Sequence, residues 1–250
     1  MPYNNNDLPT PRLRDSGRAL GHEPYYLNDI PKEVIRSIGG YFIYLLHMGR
    51  KDITGEDWGD AFAEAVKGKH LDSPLGIADV VSGRMAFSMK TVKTSNPFTV
   101  EQVRLISGRC SPDYSYGIGD PHEDIQRTGR AVLEIWNERV NIAHDHYNPV
   151  RTSILVRAND LLSYTIFEED TNRFNTSEYE WRENRNGNLE GYIAGTDVKR
   201  FVWQPHGSQF TIITKVPAFA KKFRIRKPPI ISKESILEAL HFDEDWIQIL

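Results

Sequence analysis

The sequence predicts one α/β domain whose second half is rich in β-strands. In the first half, apolar residues recur at helical spacing over three stretches, 31–48, 54–68 and 121–146. From Val150 onward apolar and polar residues alternate instead, and Asn, Gly and Pro turns separate the segments. No internal repeat or low-complexity linker interrupts the chain, so a single domain is expected rather than two.

The expected domain spans residues 26–250. The preceding 25 residues are rich in Asn, Pro and Arg without periodicity, which predicts a flexible N-terminal arm over 1–25. Within the domain we distinguish a core at about 54–147 from a β-rich part at about 150–250.

Five helices are predicted. The second opens at Thr54, because Thr54-Gly55-Glu56-Asp57 has the form of an acidic capping box, and it ends at Gly68. In the first helix the Gly39-Gly40 pair disfavours an unbroken run. The other four are predicted at Pro31–Met48, from Thr99 to Gly108, from about Pro121 to His146, and at Ser235–Leu240.

Composition narrows the class of protein. With 250 residues, 39% of them hydrophobic and 26% charged, disorder of the whole chain is excluded. The longest apolar runs, such as Tyr41–Leu46, are far shorter than the roughly 20 residues of a membrane span, and no signal-peptide core is visible, so we expect a cytoplasmic protein without a membrane partner. The single cysteine, Cys110, cannot form an internal disulfide. A net charge of −3 means that any nucleic acid must be bound by a local basic surface.

The segment GIADVVSGRMAFSMKTVK, residues 76–93, carries charge on two otherwise apolar strands. Asp79 lies before the Ser82-Gly83 turn and Lys90 after it. Residues i and i+2 of a strand face the same side, so Ser88 and Lys90 share one face, and a hairpin at Gly83 brings Asp79 near them. The pair is either a reactive acid and amine or an ordinary structural ion pair.

This arrangement resembles the core of the PD-(D/E)xK nucleases, in which an Asp at the end of one strand and an acid-x-Lys on the next hold a divalent metal and activate water. The matching residues are Asp79 and Ser88-Met89-Lys90, with Ala78 where the family often has Pro. The resemblance covers residues 60–106. It implies a restriction-endonuclease-like core, with a mixed central sheet flanked by helices, as the catalytic core.

Ser88 departs from the family pattern, because a hydroxyl does not replace a carboxylate as a ligand for Mg²⁺. Some restriction enzymes of the family also carry Ser-x-Lys and supply the missing acid from the helix after the Lys strand. By this resemblance Glu101, in the first turn of the helix predicted at Thr99, completes the Mg²⁺ site with Asp79, and Glu64 matches a further acid near the metal. The implied catalytic set is therefore Asp79, Lys90, Glu101, Glu64 and Ser88.

Three segments offer side chains suited to base edges and phosphates. A solvated hairpin is the alternative for the second and third of them. The residues are Arg104 and Arg109 in the first segment; Arg182, Asn184, Arg185 and Asn186 in the second; and Lys199, Arg200, Gln204, His206, Ser208 and Gln209 in the third. The basic strand KKFRIRK, 221–227, fits either a phosphate contact or a solvated edge strand.

The resemblance, together with these DNA-contact segments, implies a type II restriction endonuclease that uses Mg²⁺ to cut double-stranded DNA at a short sequence. A homodimer is the default, since cutting both strands usually needs two active sites, although a monomer that nicks sequentially is allowed. A structure-specific repair nuclease of the same fold and a non-catalytic, sequence-specific DNA-binding protein are the alternatives. We expect His144-Asp145-His146 to cap the C-terminal end of a helix rather than to bind a metal.

Overall fold

The computed structural model of the chain describes residues 24–250, so most of the predicted N-terminal arm lies outside the described residues. The helices are α1 (Lys32–His47), α2 (Gly55–Ala65), α3 (Pro112–Tyr116), α4 (Ile125–His146) and α5 (Lys233–Ala239). The strands are β1 (Lys69–Leu75), β2 (Ala78–Ser82), β3 (Met85–Thr94), β4 (Gln102–Arg109), β5 (Val150–Ala158), β6 (Ser163–Asp170), β7 (Tyr179–Glu183), β8 (Leu189–Ile193), β9 (Lys199–Gln204), β10 (Gln209–Lys215) and β11 (Lys221–Arg224).

A mixed six-stranded sheet forms the centre of the fold, in the order β1-β2-β3-β5-β6-β11. Strands β3 and β5 are parallel, and the other neighbours are antiparallel. A parallel pair needs a long crossover, and here that crossover contains β4, α3 and α4. The predicted α/β class, with a multi-stranded mixed sheet flanked by helices, is confirmed.

Helices α1 and α2 cover one side of this sheet, which we call the helix face. Its core includes Phe87, Leu155 and Ile166 from the strands. The ring of Phe62 on α2 lies 4.9 Å from that of Phe87, in an edge-on arrangement. Burying each such side chain contributes about 1.5–3 kcal/mol, so this contact fixes how α2 sits on the sheet.

The opposite side, which we call the inner face, packs against α4 and a second sheet. That sheet has five strands in the order β4-β10-β9-β8-β7. Ile154 and Phe167 on the inner face pack against Val103 and Leu105 of β4. Helix α4 approaches the second sheet closely because residue 129 is a glycine: a Cβ there would lie 2.2 Å from the Trp181 ring.

The helix predicted from Thr99 to Gly108 is wrong, because this segment forms strand β4. Its exposure alternates with period two: Val103 and Leu105 are buried, whereas Arg104 and Ile106 are exposed. Hydrogen bonding to β10 stabilises the strand, since β4 pairs antiparallel with β10 from Gln102 to Ile106 and again at Arg109, with a bulge between.

Most of the other predicted elements are confirmed. Helix α2 begins with the capping box at Thr54, whose side chain accepts from the N–H of Asp57 while the Asp57 carboxylate accepts from the N–H of Thr54. Gly39 does not break α1; it is buried against Phe223 and Ile225, and a Cβ there would lie 3.7 Å from each side chain, an ordinary contact. Helix α4 begins at Ile125 rather than Pro121, with Asp124 as its cap. Strand β1 and helix α3 were not predicted.

Within residues 24–250, no helix combines the length and the apolar character that crossing a membrane requires.

Candidate active site

Asp79 and Lys90 meet on the inner face of the six-stranded sheet. Pairing of Val80 with Phe87 sets the register of β2 and β3 and puts Asp79 opposite Ser88. Lys90 lies two residues beyond Ser88 on the same face. Its Nζ is 3.9 Å from Oδ2 of Asp79, and about a fifth of each side chain is exposed, 19% and 22% respectively. The predicted hairpin and the approach of the two charges are therefore present.

Strand β3 also fixes the orientation of the Asp79 carboxylate. The N–H of Met89 donates to Oδ2 at 2.7 Å, and Oγ of the buried Ser88 lies 3.4 Å from the same oxygen. The other oxygen, Oδ1, has no hydrogen-bond partner among the described residues. One carboxylate oxygen is thus held by the protein, and the second is available to a ligand.

Burial lowers the pKa of the Lys90 amine, because the charged form loses hydration. The negative charge of Asp79 raises that pKa in part, whereas the positive charge of Arg139 lowers it further. Arg139 lies on α4, where it donates to the carbonyl oxygens of Ser107 at 3.1 Å and Gly76 at 3.4 Å. A lysine with a lowered pKa exchanges its proton closer to neutral pH than an exposed one.

A cavity of about 230 Å³ opens beside Lys90, between the inner face and the second sheet. Trp136 and Phe174 supply part of its apolar lining. Its polar lining consists of Lys90, Ser107, Thr152, Glu169, Asp170, Thr171, Asn172, Arg173 and Arg200. Cations and carboxylates therefore converge on one concave region next to the Asp79–Lys90 pair.

Arg200, a predicted DNA contact, reaches this cavity because of a β-bulge. In the pairing of β8 with β9, Gly191 faces Phe201 but the next residue, Tyr192, faces Lys199. Arg200 is the extra residue between them, and a bulge of this kind redirects a side chain. The side chain of Arg200 lines the cavity rather than the outer surface.

Two carboxylates of the cavity, Glu169 and Asp170, were missed from the sequence. They end β6, and Glu169 lies in the same cross-strand row as Asp79, through Ser88 and Thr152. Three strand spacings separate the Cα atoms of Asp79 and Glu169, about 14 Å, so the two carboxylates cannot bind one Mg²⁺ ion directly. Glu169 accepts a hydrogen bond from the Thr214 hydroxyl instead.

The predicted acids Glu101 and Glu64 lie away from Asp79. Glu101 is exposed just before β4, where its carbonyl accepts from Val216 at 2.8 Å. Four residues of extended chain, roughly 13 Å, separate it from Leu105, the nearer of the two β4 residues that line the cavity. Glu64 is exposed on α2, on the opposite side of the six-stranded sheet from Asp79. Because Thr99–Gly108 is not helical, the argument that brought Glu101 to the metal fails.

The side chains around Asp79 fit Mg²⁺ only together with a substrate. No group of three or more His, Cys, Asp or Glu side chains able to hold a metal occurs within residues 24–250. The segment His144-Asp145-His146 does not form such a group either. Nε2 of His144 is instead 2.8 Å from the Thr171 carbonyl oxygen. Mg²⁺ commonly takes one or two protein carboxylates and completes its shell with water and substrate phosphate. Asp79 supplies one such carboxylate through its Oδ1 atom.

The outer face of the second sheet carries several of the predicted DNA contacts. A groove of about 600 Å³ there is lined by Gln102, Arg104, Asp197, Val198, Lys199, Ile213 and Lys215. Arg104 and Lys215 have no ion-pair partner among the described residues. Lys199 binds Glu190 at 2.6 Å, and Arg182 binds Asp197 at 2.8 Å while lying over the Tyr192 ring.

Glu190 is the anion at the centre of this face. Burial raises its pKa, but hydrogen bonds from Lys199, Tyr192 and Asn184 outweigh the effect and lower the pKa to about 2. The carboxylate therefore stays ionised and holds Lys199 in an ion pair. A phosphate would have to displace Glu190 to reach that amine.

The remaining predicted DNA contacts either stabilise a local turn or strand pairing, or are exposed to solvent. Asn184 shapes the β7–β8 turn, because its Oδ1 accepts from the N–H groups of Asn186 and Asn188. Gln204 and Gln209 face each other where β9 and β10 meet, and His206 and Ser208 form a single 3₁₀ turn between them. Arg109, Arg185, Asn186 and His206 are exposed.

Comparison of the chain with protein-family models, with curated proteins and with solved structures found no match.

Proposed function

We propose that this protein is a Mg²⁺-dependent endonuclease that hydrolyses phosphodiester bonds of double-stranded DNA at a short specific sequence, as type II restriction endonucleases do. The observation that carries the proposal is the approach of Asp79 and Lys90 to 3.9 Å on one face of adjacent strands, beside a cavity. The order of these residues, Asp on one strand and Ser-x-Lys on the next, is the pattern that resembles the PD-(D/E)xK nucleases.

In this proposal Oδ1 of Asp79 would hold the metal, while Met89 and Ser88 keep the carboxylate from rotating. Bound Mg²⁺ would lower the pKa of water and neutralise charge on the phosphoryl oxygens. Lys90 orients the attacking water and donates to the oxygen on which negative charge develops. Its lowered pKa also lets the amine take up or release a proton during the reaction.

The DNA strand to be cut would be bound at the cavity, where Arg173 and Arg200 lie beside Lys90 and can pair with phosphates. Such contacts position the duplex, and bidentate Arg, Asn or Gln contacts to base edges would give sequence preference. Arg104 and Lys215 lie on the other side of the second sheet and would contact only phosphates of DNA outside the cavity.

The test is incubation of the full chain with phage DNA in the presence of Mg²⁺, followed by gel electrophoresis. Discrete bands that vanish with EDTA and with Asp79→Ala are expected. As a matched control, Asp72→Ala removes an exposed acid from the neighbouring strand β1 and should cut like the wild type. A uniform smear, or bands that persist in Asp79→Ala, would overturn the assignment.

One observation favours a second candidate, a sequence-specific DNA-binding protein without catalysis. Among the described residues, Asp79 alone places a carboxylate against Lys90, and the pair then acts as a structural ion pair across the hairpin. The two candidates differ in their dependence on metal. Specific binding that is unchanged by EDTA, without cleavage under any divalent cation, would select the non-catalytic protein.

A further inference from the structure

A groove with cationic walls lies between the start of α1 and the edge strand β11. Its volume is about 310 Å³, and it is lined by Ile30, Lys32, Ile35, Arg36, Lys221 and Lys222. Among residues 24–250, no acidic side chain lines it. Lys222 donates to the Phe98 carbonyl at 2.8 Å, whereas the other three cations have no partner among the described residues. Two isoleucines and the aliphatic stems of the cations make the groove largely apolar.

A ligand for this groove must therefore combine apolar groups with negative charge. A nucleic-acid backbone would match the cations but would leave the isoleucines facing a polar chain of phosphates. An acidic peptide segment with large apolar side chains would match both features. The composition of the groove favours the peptide.

The C-terminal tail, which we define as residues 243–250 (DEDWIQIL), has this composition. Asp243, Glu244 and Asp245 give it three negative charges and no positive one. Its apolar side chains are exposed: Trp246 by 62%, Ile247 by 65%, and Ile249 and Leu250 almost completely. Exposed apolar side chains in one short segment are typical of a surface that binds a partner.

The tail does not occupy the groove of its own chain. After β11 the chain runs along α1 toward its C-terminal end, where the N–H of Ile231 donates to the His47 carbonyl at 3.0 Å. The groove lies at the other end of α1, about 24 Å away for a helix of 16 residues. No tail residue lines the groove.

We propose that two copies of this chain form a dimer in which the tail of each copy occupies the groove of the other. Exchange of an identical segment gives a closed pair with two equivalent contacts. In each contact Glu244 and Asp245 face Arg36 and Lys221, and the apolar end of the tail covers Ile35. The dimer would carry two Asp79–Lys90 sites, one for each strand of a duplex, but it does not depend on whether those sites cleave DNA.

Light scattering after size exclusion, over a range of protein concentrations, gives the mass of the full chain and tests the proposal. A groove variant (Arg36→Glu, Lys221→Glu) and a tail variant (Glu244→Lys, Asp245→Lys) each place like charges face to face. We expect each to dimerise at least tenfold more weakly than the wild type. Asp243 is left in place because its Oδ1 accepts from the N–H of Asp245.

An equimolar mixture of the two variants is the decisive sample. In the mixed dimer both tail–groove contacts join opposite charges, so the dimer should return. A matched control, Lys51→Glu with Lys69→Glu, makes the same change of net charge at exposed residues away from the groove and should dimerise like the wild type.

Several results would overturn the proposal. They include a wild type that stays monomeric at every concentration, and a tail variant that dimerises like the wild type. Glu244 and Asp245 are exposed, so their substitution leaves the folded core intact. A mixture that stays monomeric, while one chain with all four substitutions behaves as the wild type, would place the tail in its own groove. Loss of DNA binding in the groove variant, without a change in mass, would assign the groove to nucleic acid.

Discussion

Two ion pairs on opposite faces of the six-stranded sheet differ in how deeply their side chains are buried. On the helix face, Arg151 lies 3.5 Å from Glu168, with side chains only 4% and 0% exposed. Glu168 also accepts from the Tyr25 hydroxyl at 2.7 Å, and its backbone exchanges two hydrogen bonds with Asn28. On the inner face, Asp79 and Lys90 keep about a fifth of each side chain exposed.

The difference separates a structural pair from a candidate reactive one. Burial raises the pKa of Glu168, so its neighbours serve to offset the cost of burying a charge. Burial also lowers the pKa of Lys90. Oε2 of Glu168 and Oδ1 of Asp79 both lack a hydrogen-bond partner among the described residues, but Glu168 is fully buried, whereas Asp79 is partly exposed and Lys90 lies beside a cavity. The first pair anchors residues 25–28 to the sheet, whereas the second can accept a ligand.

The largest predicted effect is on the structural pair. Glu168→Ala leaves the Arg151 charge buried with less compensation, which should lower the free energy of unfolding by about 3–5 kcal/mol. Urea denaturation followed by circular dichroism measures this change. The exposed Glu180 on β7 offers a matched control, since Glu180→Ala should change the value by less than about 0.5 kcal/mol. A similar small change in Glu168→Ala would remove the distinction between the two pairs.

The next effect is on the reactive pair. Lys90→Met keeps the length of the side chain but removes the amine that orients water and neutralises charge. Cleavage should fall by about 10²–10⁴-fold, the range typical of lost acid–base catalysis, in a single-turnover assay with Mg²⁺. Lys93→Met, three residues further along β3, is the control and should retain activity. A Lys90→Met rate within tenfold of the wild type would make Lys90 structural.

A smaller effect concerns the pKa of Lys90. The negative charge of Asp79 raises this pKa, so Asp79→Asn should lower it further below the ordinary value. The lysine would then lose its proton at a lower pH than in the wild type. NMR titration of ¹³C-labelled lysine follows this change without requiring activity. A pKa that rises or stays constant in Asp79→Asn would show that the two groups are not coupled.

The smallest expected effect is at the two acids that lie apart from the pair. Glu101→Gln and Glu64→Gln should each leave the cleavage rate within about twofold of the wild type, because surface substitutions away from a site have little effect. The same single-turnover assay measures both. A loss of Mg²⁺-dependent cleavage in either variant would show that the substituted acid belongs to the active site, which would contradict its position in the structure.

The sequence was most informative where the pattern is local. Alternation along 76–93 and the turn at Gly83 correctly predicted the hairpin, and with it the contact between Asp79 and Lys90. The capping box at Thr54 is also a local pattern, and it correctly predicted the start of α2. By contrast, VRLIS in β4 contains apolar residues at both two-residue and three-residue spacing, and only pairing with β10 decides between strand and helix.

Residues of the cavity could not be predicted in the same way. Glu169 reaches the row of Asp79 through the pairing of β3, β5 and β6, and β3 and β5 lie far apart in the chain. Arg200 depends on a bulge and on the packing of the second sheet against the first. These contacts join residues that are distant in the sequence, so the local sequence pattern around each residue does not predict them.

The central claim is that Asp79 serves a reaction rather than the fold, and Asp79→Asn tests it most directly. The amide keeps the shape and an oxygen that accepts from Met89, but it loses the charge that Mg²⁺ requires. We predict that Mg²⁺-dependent cleavage falls by at least about 10³-fold, roughly 4 kcal/mol of transition-state stabilisation, while the free energy of unfolding changes by less than about 1 kcal/mol. Retained cleavage, or a loss of stability as large as that predicted for Glu168→Ala, would contradict the claim.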